Sequence, residues 1–126
     1  MPTPTRFPIV FDAAYARLSR TLFLRPADSY VEVAGEEVSV RMGWAFRAKF
    51  DRAAVRGTSV VAARVVLTRG VHGWAGRWLV NGAGDGILLL DLEPRQRAYV
   101  AGFPVGLRQL RVNVAEPRAL AAALAR

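Results

Sequence analysis

The chain has no cysteine and one histidine among its 126 residues. The missing cysteine removes disulfides, thiolate nucleophiles and cysteine–zinc sites together. With His72 alone, a multi-histidine metal site is excluded. A Ser–His pair could draw on Ser19, Ser29, Ser39 or Ser59, but none of these sits in a Gly-x-Ser-x-Gly elbow. His72 reads as a loop or packing histidine and not as a general base, so neither an enzyme nor a cofactor is expected. No stretch approaches the roughly 18 apolar residues of a spanning helix. The opening Met1-Pro-Thr-Pro-Thr-Arg-Phe-Pro lacks a basic segment followed by an apolar one, and a cytoplasmic location is the expectation.

What is present is apolar and basic. A hydrophobic share of 52% supports a packed core, and the length suits one domain over 1–126. Net charge is +8 and uneven: residues 41–77 hold seven arginines and Lys49 against Asp51 alone. Such a balance favours acidic partners, whether nucleic acid, anionic lipid or an acidic protein surface. Seventeen arginines against one lysine are also what GC-rich coding produces without any binding role. On the residues alone that solvation reading leads.

Along the chain, 1–6 reads as a disordered tail and Phe7 to Phe11 as a short edge segment, because Pro8 cannot donate to a ladder. Asp12 can cap a helix over 12–24, with Phe11, Ala14, Tyr15, Leu18 and Leu22 as its apolar stripe and Pro26 as its stop. Tyr30 to Met42 reads as a hairpin turning at Ala34-Gly35. Trp44, Phe46, Ala48 and Phe50 then alternate with polar neighbours as a half-buried strand. If that strand pairs with 38–42, a shared core requires an odd-length turn centred on Trp44 or a bulge. Met42 then faces Phe46, Val40 faces Ala48, Arg41 lies beside Arg47, and Ser39 beside Lys49. Like charges so placed repel mildly, and they call for an acidic neighbour, an acidic partner or solvent screening.

Further on, 51–57 reads as a helical kink, Val60 to Thr68 as one or two strands, and Arg69 to Gly76 as a loop. Arg77 to Asn81 and Gly86 to Leu92 read as a hairpin whose Gly82-Ala83-Gly84-Asp85-Gly86 loop uses glycines for positive φ. A phosphate loop is excluded there, since a strand follows instead of a helix N-terminus. Ile87 to Leu90 is continuously apolar and should be covered on both faces. Residues 94–106 read as loop, and Leu110, Val112 and Val114 as a strand. A final helix starts near Glu116-Pro117 and buries Leu120, Ala123 and Leu124. The densest cluster of chemistry is Val71 to Gly82. Trp78 should point inward with Val80, Arg77 and Asn81 should share the opposite face, and Trp74 should plug one barrel mouth. Exposed instead, Trp74 could stack on a base, enter a lipid interface or anchor a partner. The candidate ligand-binding residues are Arg41, Arg47, Lys49, His72, Trp74 and Arg77.

Many strands followed by one helix resemble the pleckstrin-homology-like (PH-like) superfold, a bent β-barrel of about seven strands capped by a C-terminal helix. The ending Leu110 to Val114 into Glu116-Pro117-Arg118-Ala119-Leu120 through Leu124 looks like that of bacterial PH-like domains. Gly70-Val-His-Gly-Trp-Ala-Gly-Arg-Trp-Leu-Val-Asn-Gly82 is similar to uncharacterised actinobacterial proteins of this group. The resemblance spans about 29–125 and makes the N-terminal helix an addition. It implies a non-enzymatic interaction module, self-associating as a homo-oligomer or docking an acidic protein or membrane surface. Phosphoinositide-binding members carry basic residues at the first strand–strand turn. Here that turn is Ala34-Gly35-Glu36-Glu37, so phosphoinositide binding at it is not expected. The second reading is a nucleic-acid binder using Arg41, Arg47, Lys49 and Trp74. It is weakened by the lack of an RNA-recognition or helix-turn-helix signature.

Overall fold

The computed structural model describes residues 4–61, 70–83 and 86–125. Over these the chain is mainly β. Nine strands form one sheet: β1 (Thr5–Pro8), β2 (Ser29–Ala34), β3 (Glu37–Met42), β4 (Phe46–Asp51), β5 (Val55–Val60), β6 (Gly70–Trp74), β7 (Arg77–Asn81), β8 (Ile87–Val100) and β9 (Phe103–Asn113). Helix α1 (Ala13–Thr21) follows β1, and α2 (Pro117–Leu124) ends the chain. The sheet runs β1-β2-β3-β4-β8-β9-β7-β6, with β5 also on β8.

This bears out a mainly-β domain with one N-terminal and one C-terminal helix, and corrects the finer expectation of a nearly closed seven-stranded barrel. Among the described residues β1 and β6 are the ends of the ladder and do not pair. The N-terminal segment spans from β1 toward β7 by other means. The Asn113 side chain accepts from the Gly82 amide at 2.7 Å and donates to the Val10 carbonyl at 2.8 Å. The Asp12 amide donates to the Gly82 carbonyl at 2.9 Å, and the Ala115 amide to the Pro8 carbonyl at 3.1 Å. Gly82 has no room for a side chain, because a Cβ would run into the Val10 carbonyl oxygen. The expectation of a tail over 1–6 is corrected at Thr5 and Arg6, which pair with Val33 and Glu32, while residues 1–3 lie outside the described residues.

The β2–β3 hairpin turns at Gly35 and Glu36. The β3–β4 register matches the derivation from shared burial: Met42 faces Phe46, Val40 faces Ala48, Arg41 faces Arg47, and Ser39 faces Lys49. The connection is the three-residue Gly43-Trp44-Ala45, with Gly43 at φ +52°. Trp44 therefore leaves the apolar row of Phe46, Ala48 and Phe50 and stands half out in solvent.

Two segments read as loops are strands. Gly70–Trp74 is an edge strand, and 94–106 falls within the long β8–β9 hairpin. The prolines there mislead for a local reason. Pro94 lies where the register slips between Asp91 and Gln96, and Pro104 lies where β9 pairs with β8 alone. Nor do β7 and β8 form a hairpin, because β9 inserts between them and runs parallel to β7. The strands expected within Val60 to Thr68 lie, beyond Val61, outside the described residues.

One hydrophobic cluster joins both parts of the sheet. Val31, Val38, Val40, Met42, Phe46 and Phe50 from β2–β4 meet Leu88, Leu90, Leu107, Leu110 and Val112 from β8–β9. Helix α2, with Pro117 in its first turn, adds Leu120 and Leu124. Outside this cluster Ile87 is buried and Leu89 half-buried, so the continuous apolar run at Ile87 to Leu90 is covered fully on one face and in part on the other. Arg52 fastens α2: its guanidinium donates to the Ala123 carbonyl at 3.3 Å and to Glu36 at 2.6 Å.

Helix α1 is capped by Asp12, whose side chain accepts from the Tyr15 amide at 2.7 Å. Its buried row is Tyr15 and Ser19, not Leu18 and Leu22, which stay exposed. Both rows have helical spacing, and the contact between the Phe11 and Tyr15 rings accompanies the burial of the first. The helix also stops short of residue 24, ending at Thr21.

Asn113→Ala removes two hydrogen bonds from a fully buried group and strands both partners. It should cost about 2–3 kcal/mol and lower the melting temperature by roughly 10 °C, measured by thermal circular dichroism. Burial pushes the Tyr15 hydroxyl above its ordinary value near 10. The folded chain then keeps a proton that the unfolded chain loses. Tyr15 burial is fully stabilising below that pH, and its contribution is lost as pH rises past it. The melting temperature of Tyr15→Phe should therefore fall less steeply than that of the wild type between neutral pH and about pH 11.

Candidate ligand-binding face

Alternation puts Val38, Val40, Met42, Phe46, Ala48 and Phe50 in the core, and so turns Arg41, Arg47 and Lys49 outward on neighbouring strands. The sheet extends this outer face on both sides. Tyr30 pairs with Arg41, Arg41 with Arg47, and Arg47 with Tyr99, making one row across β2, β3, β4 and β8. Ser39, Lys49 and Arg97 join the row in an open groove of about 590 Å³.

The two tyrosines are half-buried and the four cations exposed. The Arg47 guanidinium lies 4.9 Å from the centre of the Tyr99 ring, and that of Arg6 lies 4.1 Å from the centre of the Tyr30 ring. Such stacking holds an arginine in place without neutralising it. Two carboxylates also line this groove: Glu37 lies 3.8 Å from Lys49, and Glu32 is held by Arg6 at 2.7 Å. Among the described residues no carboxylate pairs with Arg41, Arg47 or Arg97.

Of the six candidates, the fold thus gathers Arg41, Arg47 and Lys49. His72, Trp74 and Arg77 form a second group on β6–β7, where Trp74 pairs with Arg77 and His72 with Leu79. Strands β8 and β9 lie in the ladder between the two groups. Trp74 is 81% exposed and plugs nothing, because it stands at the end of an edge hairpin beyond the packed core. Trp78 packs against the core as expected. Asn81 falls on the same side of β7 as Arg77 by alternation but is fully buried, since the N-terminal segment crosses over that end of the strand. Arg77 borders a smaller depression of about 350 Å³ where Arg56 and Arg108 are offset by Asp91 and Glu93.

Sequence reasoning missed Tyr30, Tyr99 and Arg97 as parts of the face. The signal for Arg97 and Tyr99 was the alternation of Arg95, Arg97 and Tyr99 with Gln96, Ala98 and Val100, hidden by two prolines, and that for Tyr30 was its alternation with Val31 and Val33. No family model, curated protein or solved structure matches the chain. No helix among the described residues is long and apolar enough to cross a membrane.

Arg41→Gln should leave the melting temperature almost unchanged, within about 0.5 kcal/mol of stability, because it relieves a like-charge pair and uncovers little. A loss above about 2 kcal/mol in chemical denaturation would make this arginine structural.

Proposed function

We propose that this protein is a non-enzymatic binding module of the PH-like type that docks an anionic surface through the outer face of β2, β3, β4 and β8. One observation carries the reading: Arg41, Arg47 and Arg97 share a tyrosine-flanked groove without carboxylate partners among the described residues. Unneutralised guanidinium groups on a rigid sheet are preorganised for an anion, and they lose little conformational freedom on binding it. The helix α2 that follows the last strand supports the PH-like part. The residue inventory, without cysteine and with a single histidine, supports the non-enzymatic part. The nucleic-acid reading leaned on Trp74 joining these cations. With Trp74 on β6 it keeps Tyr30, Tyr99 and the half-exposed Trp44 as stacking surfaces beside them.

The test is binding of a fluorescent poly-glutamate peptide across a salt series. Affinity should fall at least about tenfold between about 50 and about 300 mM salt. The triple variant Arg41→Gln, Arg47→Gln, Lys49→Gln should lose it, while Trp74→Ala binds normally. Wild-type protein that ignores the peptide at low salt, or a triple variant that binds like wild type, overturns the reading.

A further inference from the structure

We propose that the anionic surface is a lipid bilayer, and that the end of the molecule formed by Leu22, Phe23, Trp44 and Phe103 dips into it. This rests on the anion-docking reading and names the source of the anions.

Scattered exposed apolar side chains are ordinary, whereas a cluster of them marks an interaction site. Here Leu18, Leu22, Phe23, Trp44 and Phe103 are all exposed, Phe23 at 84% and Phe103 at 74%. Backbone contacts bring their segments together. Leu18 and Leu22 are one helical turn apart at the end of α1. The Trp44 indole N–H donates to the Leu22 carbonyl at 2.7 Å. The Ala101 amide donates to the Ala45 carbonyl at 3.0 Å, which sets the β8–β9 turn beside the β3–β4 turn, and Phe103 follows two residues later.

Three features select a bilayer as the occupant. The apolar groups sit on or beside chain reversals: Trp44 in a turn, Phe103 next to one, and Phe23 at φ +58° where the chain leaves α1. Groups held out in this way suit a soft interface, while protein hot spots are anchors that fill pockets. The Trp44 N–H is already bonded, so its ring can enter the headgroup region without stripping an unpaired donor. The charge is also complementary. A depression of about 200 Å³ lined by Arg41, Trp44, Arg47, Tyr99 and glycines joins this end directly to the cationic face. Nearby Asp28 is occupied by Arg25 at 3.0 Å. A second copy of the chain would bring the same positive charge and repel. Lipid phosphates would meet the arginines as the aromatic rings reach the acyl boundary.

The experiment is co-sedimentation with vesicles of phosphatidylcholine alone or with about one quarter phosphatidylglycerol. Each protein is also spun without vesicles and assayed with poly-glutamate. Wild type should pellet with the anionic vesicles at least about tenfold better than with the neutral ones. The double variant Phe23→Asn, Phe103→Ser should lose about tenfold in vesicle binding, yet keep its poly-glutamate affinity and its melting temperature. Tryptophan emission should shift to the blue on anionic vesicles, and less so in Trp44→Phe. Wild type that binds poly-glutamate but not vesicles overturns this inference and leaves the docking reading standing. Binding to neither overturns both. A double variant that pellets like wild type, or a vesicle-free dimer that the double variant abolishes, overturns the bilayer assignment.

Discussion

The ladder between β8 and β9 carries both parts of the sheet, and it does so because its register slips between Asp91 and Gln96. Before the slip, β8 pairs with β5 on its other side. After it, β8 pairs with β4. Extra residues on one strand bend it and increase its twist. One hairpin can thereby bring β2–β4 and β5–β9 around a single cluster, in which Phe46 and Met42 meet Leu90 and Leu110. A straight hairpin of this length would leave the inner faces of its two ends apart.

The second constraint is the lock at Asn113. It ties residues 10–12 to the β7 end of the sheet through the Asn113 side chain and a backbone hydrogen bond from Asp12 to Gly82, and so fixes the N-terminal segment without a strand pairing. Docking α1 by its Tyr15 and Ser19 row leaves Leu18 and Leu22 facing water beside Trp44. The exposed apolar end is thus a consequence of how the sheet is completed.

The cationic face follows from the same packing. Once the β3–β4 register is set by the core, Arg41 and Arg47 must lie opposite each other whatever their charge. Repulsion between exposed guanidinium groups is screened by water and salt, while burying Met42 and Phe46 is worth several times more. The fold can therefore hold an unneutralised pair in place, with Tyr99 stacked under one member.

Much of this was legible locally. The alternation of Val38 to Phe50 determined which residues point outward, the Asp12 cap placed α1, and Pro117 with Leu120 and Leu124 placed α2. These features depend on periods of two and 3.6 and on nearest neighbours, which a sequence carries in itself. The parallel insertion of β9 beside β7, the open sheet, the choice between two apolar rows of α1, and the separation of Trp74 from Arg41 and Arg47 were decided by tertiary structure. Each depends on contacts between residues distant in sequence, such as Val10 with Asn113 or Arg77 with Gln109, for which no local pattern speaks. Residue types and spacing determined that this protein would have a basic strand face. Only the folded chain decided that the face would be flanked by Tyr30 and Tyr99 and end at Trp44, because strands adjacent in space need not be adjacent in sequence.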